Sequence, residues 1–253
     1  MMARTAAPPS LKQIPCPECP LRRLPAFRAF TAEELDFVSS FKRGELHTDK
    51  GSTIVQEGSH SAHLYTVLSG WAFRYKLLSD GRRQILNYLV PGDLIGLQSS
   101  LIGEMQHSVE ALTAMSLCVF ERDKLSKLYR KQPELGFDVT WIAAREEQML
   151  DENLLSVGRR SSIERAAYLI AFLYARLHQT RVGRLRKSVL PLTQQHIADT
   201  LGLSLVHTNR TLRRLAARGL ASWEDGGCEV LDAEGLMAIS QWEGLPETRR
   251  PFI

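Results

Sequence analysis

Hydrophobic positions along the chain fall into two textures. Between about Glu45 and Phe120 apolar residues come in short or alternating runs split by turn signals. Ile54-Val55 precedes Glu57-Gly58, Leu64–Leu68 precedes Ser69-Gly70, Trp71–Leu78 precedes Asp80-Gly81, and Gln84–Val90 precedes Pro91-Gly92-Asp93; Ser108–Leu112 and Leu117–Phe120 follow. Short strands at this spacing predict an all-β barrel or sandwich, with Asp80-Gly81 closing a hairpin. Further on the period becomes helical. Leu135, Val139, Ile142 and Met149 stay near one face of a helix from Glu134 to Val157, about 36 Å long at the standard rise and ended by Gly158. Such a stripe packs either on a twin helix or on its own barrel. Glu146 and Asn153 interrupt it, so it is not a clean coiled-coil seam. A second helix begins near Ser161-Ser162 and carries Ala166, Leu169, Ile170, Leu173 and Leu177 inward. A short helix is predicted upstream, capped by Thr31 ahead of Glu33-Glu34 and the apolar Leu35, Phe37 and Val38. Six of the eleven prolines lie in residues 1–25, so Met1–Leu24 reads as an irregular lead-in rather than a core element.

The stretch Thr193–Leu215 has the spacing of a helix-turn-helix. Thr193 can cap a short helix that buries Ile197, Ala198 and Leu201. Gly202 supplies the tight turn and Leu203 plugs the angle. Ser204 caps a second helix with Leu205, Thr208, Leu212 and Leu215 facing in. Two short strands flanking Asp225-Gly226-Gly227 then read as a wing, and Ala233–Ser240 as a closing helix. The second helix should present Ser204, Val206, His207, Asn209 and Arg210 to a major groove, with Arg213 and Arg214 one turn on. Arg210 is suited to a bidentate contact with guanine, or to a phosphate, and Asn209 to adenine. Arg213, Arg214 and Arg218 are suited to phosphates, which position a protein without specifying sequence.

Charge sharpens this picture. The formal balance is only +4, but residues 159–218 carry 12 basic side chains against Glu164 and Asp199, a local balance of +10. Clustered Lys and Arg attract polyanions through charge neutralisation and counterion release. With 44% apolar and 24% charged residues the composition is that of an ordinary globular protein. The longest near-apolar run, Ala166–Ala175, is about half of what a bilayer span needs, and no secretion signal is visible. The expected setting is therefore cytoplasmic, without membrane association, and the four cysteines read as reduced thiols or metal ligands.

The order of parts resembles the Crp/Fnr superfamily of bacterial transcription regulators. The motifs that carry the resemblance are Glu57-Gly58, Leu68-Ser69-Gly70, Gly81-Arg82-Arg83, Tyr88–Gly96 with its Gly-Asp-Leu-Ile-Gly, and the helix-turn-helix. The resemblance implies an α+β fold: a jelly-roll-like N-terminal β-roll sensor domain, a long dimerisation helix and a C-terminal winged helix-turn-helix. The corresponding divisions are an arm with a cysteine pair (1–26), a cyclic-nucleotide-binding-like roll (27–132), a dimerisation helix (133–158), a DNA-binding domain (159–240) and a tail (241–253). The implied partners are a second copy of the chain, double-stranded DNA with a pseudo-palindromic operator, and RNA polymerase.

Effector chemistry divides the superfamily. Cyclic-AMP binders need an acidic residue after the glycine of the roll and an Arg-Ser pair for the phosphate. Here Gly96 is followed by Leu97, and the phosphate position looks like His107-Ser108. An apolar side chain cannot accept the ribose hydroxyls and a neutral histidine lacks arginine's fork, so cyclic AMP is disfavoured. The Fnr branch holds an iron–sulfur cluster on three N-terminal cysteines and one in the roll. Cys16, Cys19 and Cys118 match three of these, and Pro25 stands where another is expected. A cluster with a non-cysteine fourth ligand, a dithiol–disulfide switch and a vestigial site all remain open, as does simple core packing by Cys118. No catalytic constellation stands out; His60-Ser-Ala-His63 is a pair without clustered partners. Beside the transcription factor stands a different class, a redox or small-molecule sensor whose C-terminal helices dock a protein partner. The basic block favours the first.

Overall fold

The structure is a computed structural model describing residues 13–180, 189–224, 226–246 and 248–253. Two four-stranded antiparallel sheets make the N-terminal roll. One is formed by β1 (Lys42–Thr48), β8 (Met115–Glu121), β3 (His63–Ser69) and β6 (Leu94–Ile95), in that order; the other by β2 (Thr53–Val55), β7 (Ser108–Ala111), β4 (Ala72–Leu77) and β5 (Arg83–Leu89). The expected Asp80-Gly81 hairpin joins β4 to β5, which pair from Ala72↔Leu89 to Leu77↔Arg83. Between the sheets lie Val55, Val67, Ala72, Leu89, Ile95, Val109 and Leu117. β1 is the strand that the hydrophobic pattern misses. Its sequence, Lys-Arg-Gly-Glu-Leu-His-Thr, has no alternation, because it is an edge strand paired to β8 alone.

Helices close the base of the roll. α1 (Ala32–Phe41) starts at the expected cap, a capping box between Thr31 and Glu34. α2 (Leu97–Ile102) and α3 (Leu125–Lys131) follow, and α4 (Pro133–Arg159) runs through Gly158, which does not end it. Of the two partners open to the α4 stripe, the chain itself takes it. Leu135, Val139 and Ile142 pack with Val38, Phe41, Leu64 and Phe120, and Met149 joins the C-terminal core. The two polar interruptions are bonded rather than solvated: Glu146 meets Arg74 of β4, and Asn153 donates to the Leu86 carbonyl at 2.9 Å. The opposite face leaves Phe137 67% and Leu154 74% exposed.

α5 (Ser162–Gln179), β9 (Val189–Leu190), α6 (Gln194–Leu201), α7 (Leu205–Ala217), β10 (Ala221–Glu224), β11 (Gly227–Val230) and α8 (Ala233–Ser240) complete the C-terminal domain. β10 and β11 form the wing hairpin and β9 adds a third strand; Asp225 of the expected turn lies outside the described residues. Its core includes Ala166, Ile170, Leu173, Ile197, Leu201, Leu215 and Leu236, and continues onto Phe73, Ile85 and Tyr88 of the roll's outer face. One apolar body therefore spans both domains.

The lead-in corrects the sequence reading. Residues 1–12 lie outside the described residues, but Cys16–Glu18 and Pro20–Arg23 form short 3-10 turns and Leu21 is 1% exposed. Proline turns suit 3-10 geometry, so density of proline did not mean exclusion from the core. Just beyond, Arg28 bonds Glu34 through two parallel contacts and also Asp138 of α4. The guanidinium holds the Glu34 carboxyl below its usual range. Arg28→Ala strips two poorly exposed carboxylates of their partner. We expect it to lower unfolding stability by about 3 kcal/mol, measured as a shift of the denaturant midpoint.

Candidate functional site

The helix-turn-helix is built by local chemistry. The Thr193 hydroxyl accepts from the His196 amide at 3.1 Å, and His196 Nδ1 accepts from the Thr193 amide at 3.1 Å. The imidazole can accept because it is neutral: burial, then Arg83, push it down to about 4. Gly202 ends α6 in the left-handed region at φ +64, where a side chain would be strained. The Leu203 amide returns to the Ala198 carbonyl, and the Ser204 hydroxyl caps α7 by accepting from the His207 amide. α7 buries Thr208, Thr211, Leu212 and Leu215. Leu205, expected to face in, is instead exposed, because it sits on the first turn beyond the reach of the α5 and α8 core.

The outward side of α7 presents Val206, His207, Arg210, Arg213 and Arg214 to solvent, with Arg218 at its end. Asn209 is half-buried, and its Oδ1 is shielded without a partner. Thr193 and Ser204 stand exposed at the N-termini of α6 and α7, where free amides favour anions. The geometry is a bare cationic helix face flanked by two helix starts and a hairpin.

This domain is seated on the roll by polar contacts at its α6 side. Arg83 Nε donates to Asp199 at 2.8 Å, the Gln84 amide to the Thr200 carbonyl at 2.9 Å, and Tyr88 Oη lies 2.8 Å from Thr200 Oγ1. On the α5 side, Arg176 donates to the Tyr88 carbonyl at 2.8 Å and meets Asp93 at 2.5 Å.

Inside the roll, Gly96, Leu97, His107 and Ser108 occupy the region expected to take an effector. Leu97 is half-buried at the start of α2 and offers no acceptor. His107 is 5% exposed, and burial, with Arg74 and Lys76 nearby, pushes its ring down to about 3. The Ser108 hydroxyl is taken by the Glu57 amide at 3.0 Å. Arg74 crosses to α4 and pairs with Glu146 at 2.9 Å, a contact the sequence did not signal, and its Nε keeps no partner.

Cys16, Cys19 and Cys118 do converge, lining one cavity of about 30 Å³ with Ile14, Leu21, Thr66 and Phe252. Cys228 does not join them; it is buried in the winged domain. Burial pushes the Cys118 thiol up to about 12 and also raises Cys19, so both are neutral at physiological pH. Among the described residues no group of three or more His, Cys, Asp and Glu side chains is placed to hold a metal ion. Cys16, Cys19 and Cys118 do not form such a group as arranged, and three thiols do not complete a four-ligand iron–sulfur site. The residues that sequence reasoning missed here are Arg250, Phe252 and Ile253, which reach the same region from the far end of the chain.

A β-roll joined by a long helix to a winged helix-turn-helix with a bare basic second helix defines a DNA-binding transcription regulator. Comparison with known proteins agrees. A model described as a cyclic nucleotide-binding domain matches residues 45–132, and one described as a Crp-like helix-turn-helix domain matches residues 164–239. The nitrogen fixation regulation protein FixK of Bradyrhizobium diazoefficiens is 30% identical over 225 residues, covering 89% of this chain and 93% of that protein. The transcriptional activator protein Anr of Pseudomonas aeruginosa is 25% identical over 96% of this chain and all of its own length (100%). The solved structure of FixK2 from Bradyrhizobium japonicum superposes with a TM-score of 0.68 at 27% identity, covering 80% of this chain and 98% of that one. The chain belongs to the Crp/Fnr family of transcription regulators. Among the described residues no helix is long and apolar enough to cross a membrane.

His107 makes the fold sensitive to acid. Its folded pKa lies below the unfolded value, so its contribution is complete above about pH 6.5 and is lost as pH falls toward 3. Stability should decline across pH 6.5 to 5 by about 1 kcal/mol per pH unit from this group, and His107→Gln should flatten that slope in urea titrations.

Proposed function

We propose that the chain acts as a homodimer on a pseudo-palindromic operator, each protomer placing α7 in one of two successive major grooves. The observation that carries this reading is the uncovered face of α7, where Arg210, Arg213 and Arg214 stand free of acidic partners among the described contacts while the other side is locked into the core. Arg210 reads guanine, and Val206, His207 and Asn209 complete the base-facing set. Arg213 and Arg214 grip phosphates, and Thr193 and Ser204 bring the helix starts to the backbone. Dimerisation uses the free face of α4, where Phe137 and Ala144 stand seven residues apart and Gln148, Asp151, Leu155 and Gly158 follow at alternating spacings of four and three. The divisions follow these roles: lead-in 1–26, roll 27–132, dimer helix 133–158, DNA-binding domain 159–240. The protein works in the cytoplasm, where it meets DNA and RNA polymerase, and is a regulator rather than an enzyme.

The signal enters through the roll or the cysteine cavity. Cyclic AMP does not suit the wall formed by Gly96, Leu97, His107 and Ser108, because a neutral, buried ring replaces the fork that a cyclic phosphate needs.

Two tests follow, using a duplex selected from a randomised pool by the parent protein. Arg210→Ala should lose about 1–3 kcal/mol of affinity and relax specificity at one position, whereas Arg213→Ala should weaken all sequences alike and reduce the salt slope by about one. Equal binding by the Arg210→Ala variant and the parent rejects the base-reading role. For assembly, the double change Phe137→Asp and Leu155→Asp should give a folded monomer in analytical ultracentrifugation; a persistent dimer places the seam elsewhere.

A further inference from the structure

The segment after α8 leaves the winged domain, crosses to the roll and ends in the cysteine cavity. Trp242 anchors its start edge-on against Tyr168 and Phe172 of α5, with centroids 5.8 and 5.9 Å apart. Residue 250 then pairs with the lead-in: its amide donates to the Ala26 carbonyl at 2.9 Å, and its carbonyl accepts from the Arg28 amide at 3.0 Å. The Arg250 guanidinium meets Asp93 at 2.7 Å and the Pro91 carbonyl at 2.6 Å, and lies 4.7 Å over the Phe27 ring. Gly92, at φ +89, makes room for this: a Cβ there would stand 2.4 Å from Phe27 and 2.7 Å from Arg250. Phe252 is 6% exposed and packs on Phe27 and Phe30, with Cys19 and Cys118 beside it. Thr66 donates to the Ile253 carbonyl.

We propose that residues 248–253 are a strap that holds the winged domain in its DNA-competent seat, and that the cysteine cavity is the site where the strap is released when a thiol adds across the activated double bond of an electrophile, its sulfur bonding one carbon and its hydrogen ending on the other. The proposal rests on reading α7 as the operator-contacting helix. Two observations give it a sign. In the strapped arrangement no described residue covers the outward face of α7, so among the described residues this seat is open to DNA. Phe252 and Ile253 line the same small cavity as Cys19 and Cys118. A bulky adduct on either thiol and a seated strap therefore compete for one space. Losing the strap frees the winged domain from one of its tethers, and a population spread over several orientations binds an operator more weakly. The coupling is reciprocal: DNA that selects the seated form protects the thiols.

The test uses N-ethylmaleimide as the thiol probe on the full chain, with labelling followed peptide by peptide. Arg250→Ala and Phe252→Ala should each label Cys118 at least tenfold faster than the parent, while Cys228, in the winged core, stays protected. Both variants should bind the selected duplex at least tenfold more weakly. Phe252→Leu, which keeps an apolar plug, should restore both properties. Saturating duplex should slow Cys118 labelling in the parent. Arg210→Ala should lose specific DNA binding yet label Cys118 at the parent's rate, which separates failure of the α7 reading from failure of the strap. Unchanged Cys118 labelling in both strap variants, faster labelling with undiminished DNA affinity, or parallel labelling of Cys228 in every variant would overturn the proposal.

Discussion

Asp93 is the carboxylate on which the arrangement of the two domains depends. It lies at the edge of the roll, fully enclosed, and accepts from Arg176 of α5 and Arg250 beyond α8. Burial alone would raise its pKa, but two guanidiniums and the Val90 amide outweigh that and hold it ionised. An ionised group so deep is tolerable only when its oxygens are bonded throughout. Arg176 of the winged domain and Arg250 of the tail thus meet the roll through one residue. The remaining seat, from Arg83 to Asp199 and from Tyr88 to Thr200, lies on the α6 side. Movement of the domain therefore has to break either the Asp93 node or the α6 contacts, and these are chemically different: one is charged and dry, the other largely hydrogen-bonded at a half-exposed edge.

What the sequence made legible was what short-range chemistry encodes. Thr193, Gly202 and Ser204 announced the helix-turn-helix because capping and left-handed turns need particular residues at particular places. The β4–β5 hairpin was legible for the same reason. The α4 stripe was legible as a buried face but not as to its partner, since Leu135 and Met149 look the same whether they pack on a roll or on a twin. Illegible altogether were β1, whose edge position requires no alternation, and the seating of residues 250–253. Arg250 is one arginine in a polar stretch; that it meets a residue 157 positions earlier is set by tertiary topology. The three cysteines fall between: their convergence followed from resemblance, but the apolar cavity they line could be known only from what surrounds them.

The two candidate sensing places share a physical character. His107 is held neutral by burial beside Arg74 and Lys76, and Cys118 by burial within an apolar wall. Neither supplies a fixed charge to a ligand. The charged groups nearby are committed to the architecture: Arg74 to Glu146 across the roll–α4 gap, Lys42 to Glu45 and the Ile14 carbonyl beside the cysteines. An anionic effector in the roll would have to compete with Glu146 for Arg74, and in doing so would pull on α4, the helix whose free face is read here as the dimer seam.

The basic block shows why net charge by itself cannot locate an interface. Among its 12 cationic side chains, Arg181, Arg184, Arg186 and Lys187 lie outside the described residues. Arg160, Arg165 and Arg176 face inward: Arg160 donates to the Ser240 carbonyl and lies 4.5 Å over the Tyr168 ring, Arg165 donates to the Arg160 carbonyl, and Arg176 serves Asp93. They hold the domain together and contribute little to the field outside it. Arg159 is exposed at the end of α4, and Arg210, Arg213, Arg214 and Arg218 are the exposed set on or beside α7, so among the described residues most of the block's outward charge lies on one helix. Charge gathered on α7 steers that helix toward DNA, whereas the same charge spread over the whole domain would favour any orientation equally. The division of arginines between core and surface, rather than their number, is what turns a basic sequence into an oriented binding face.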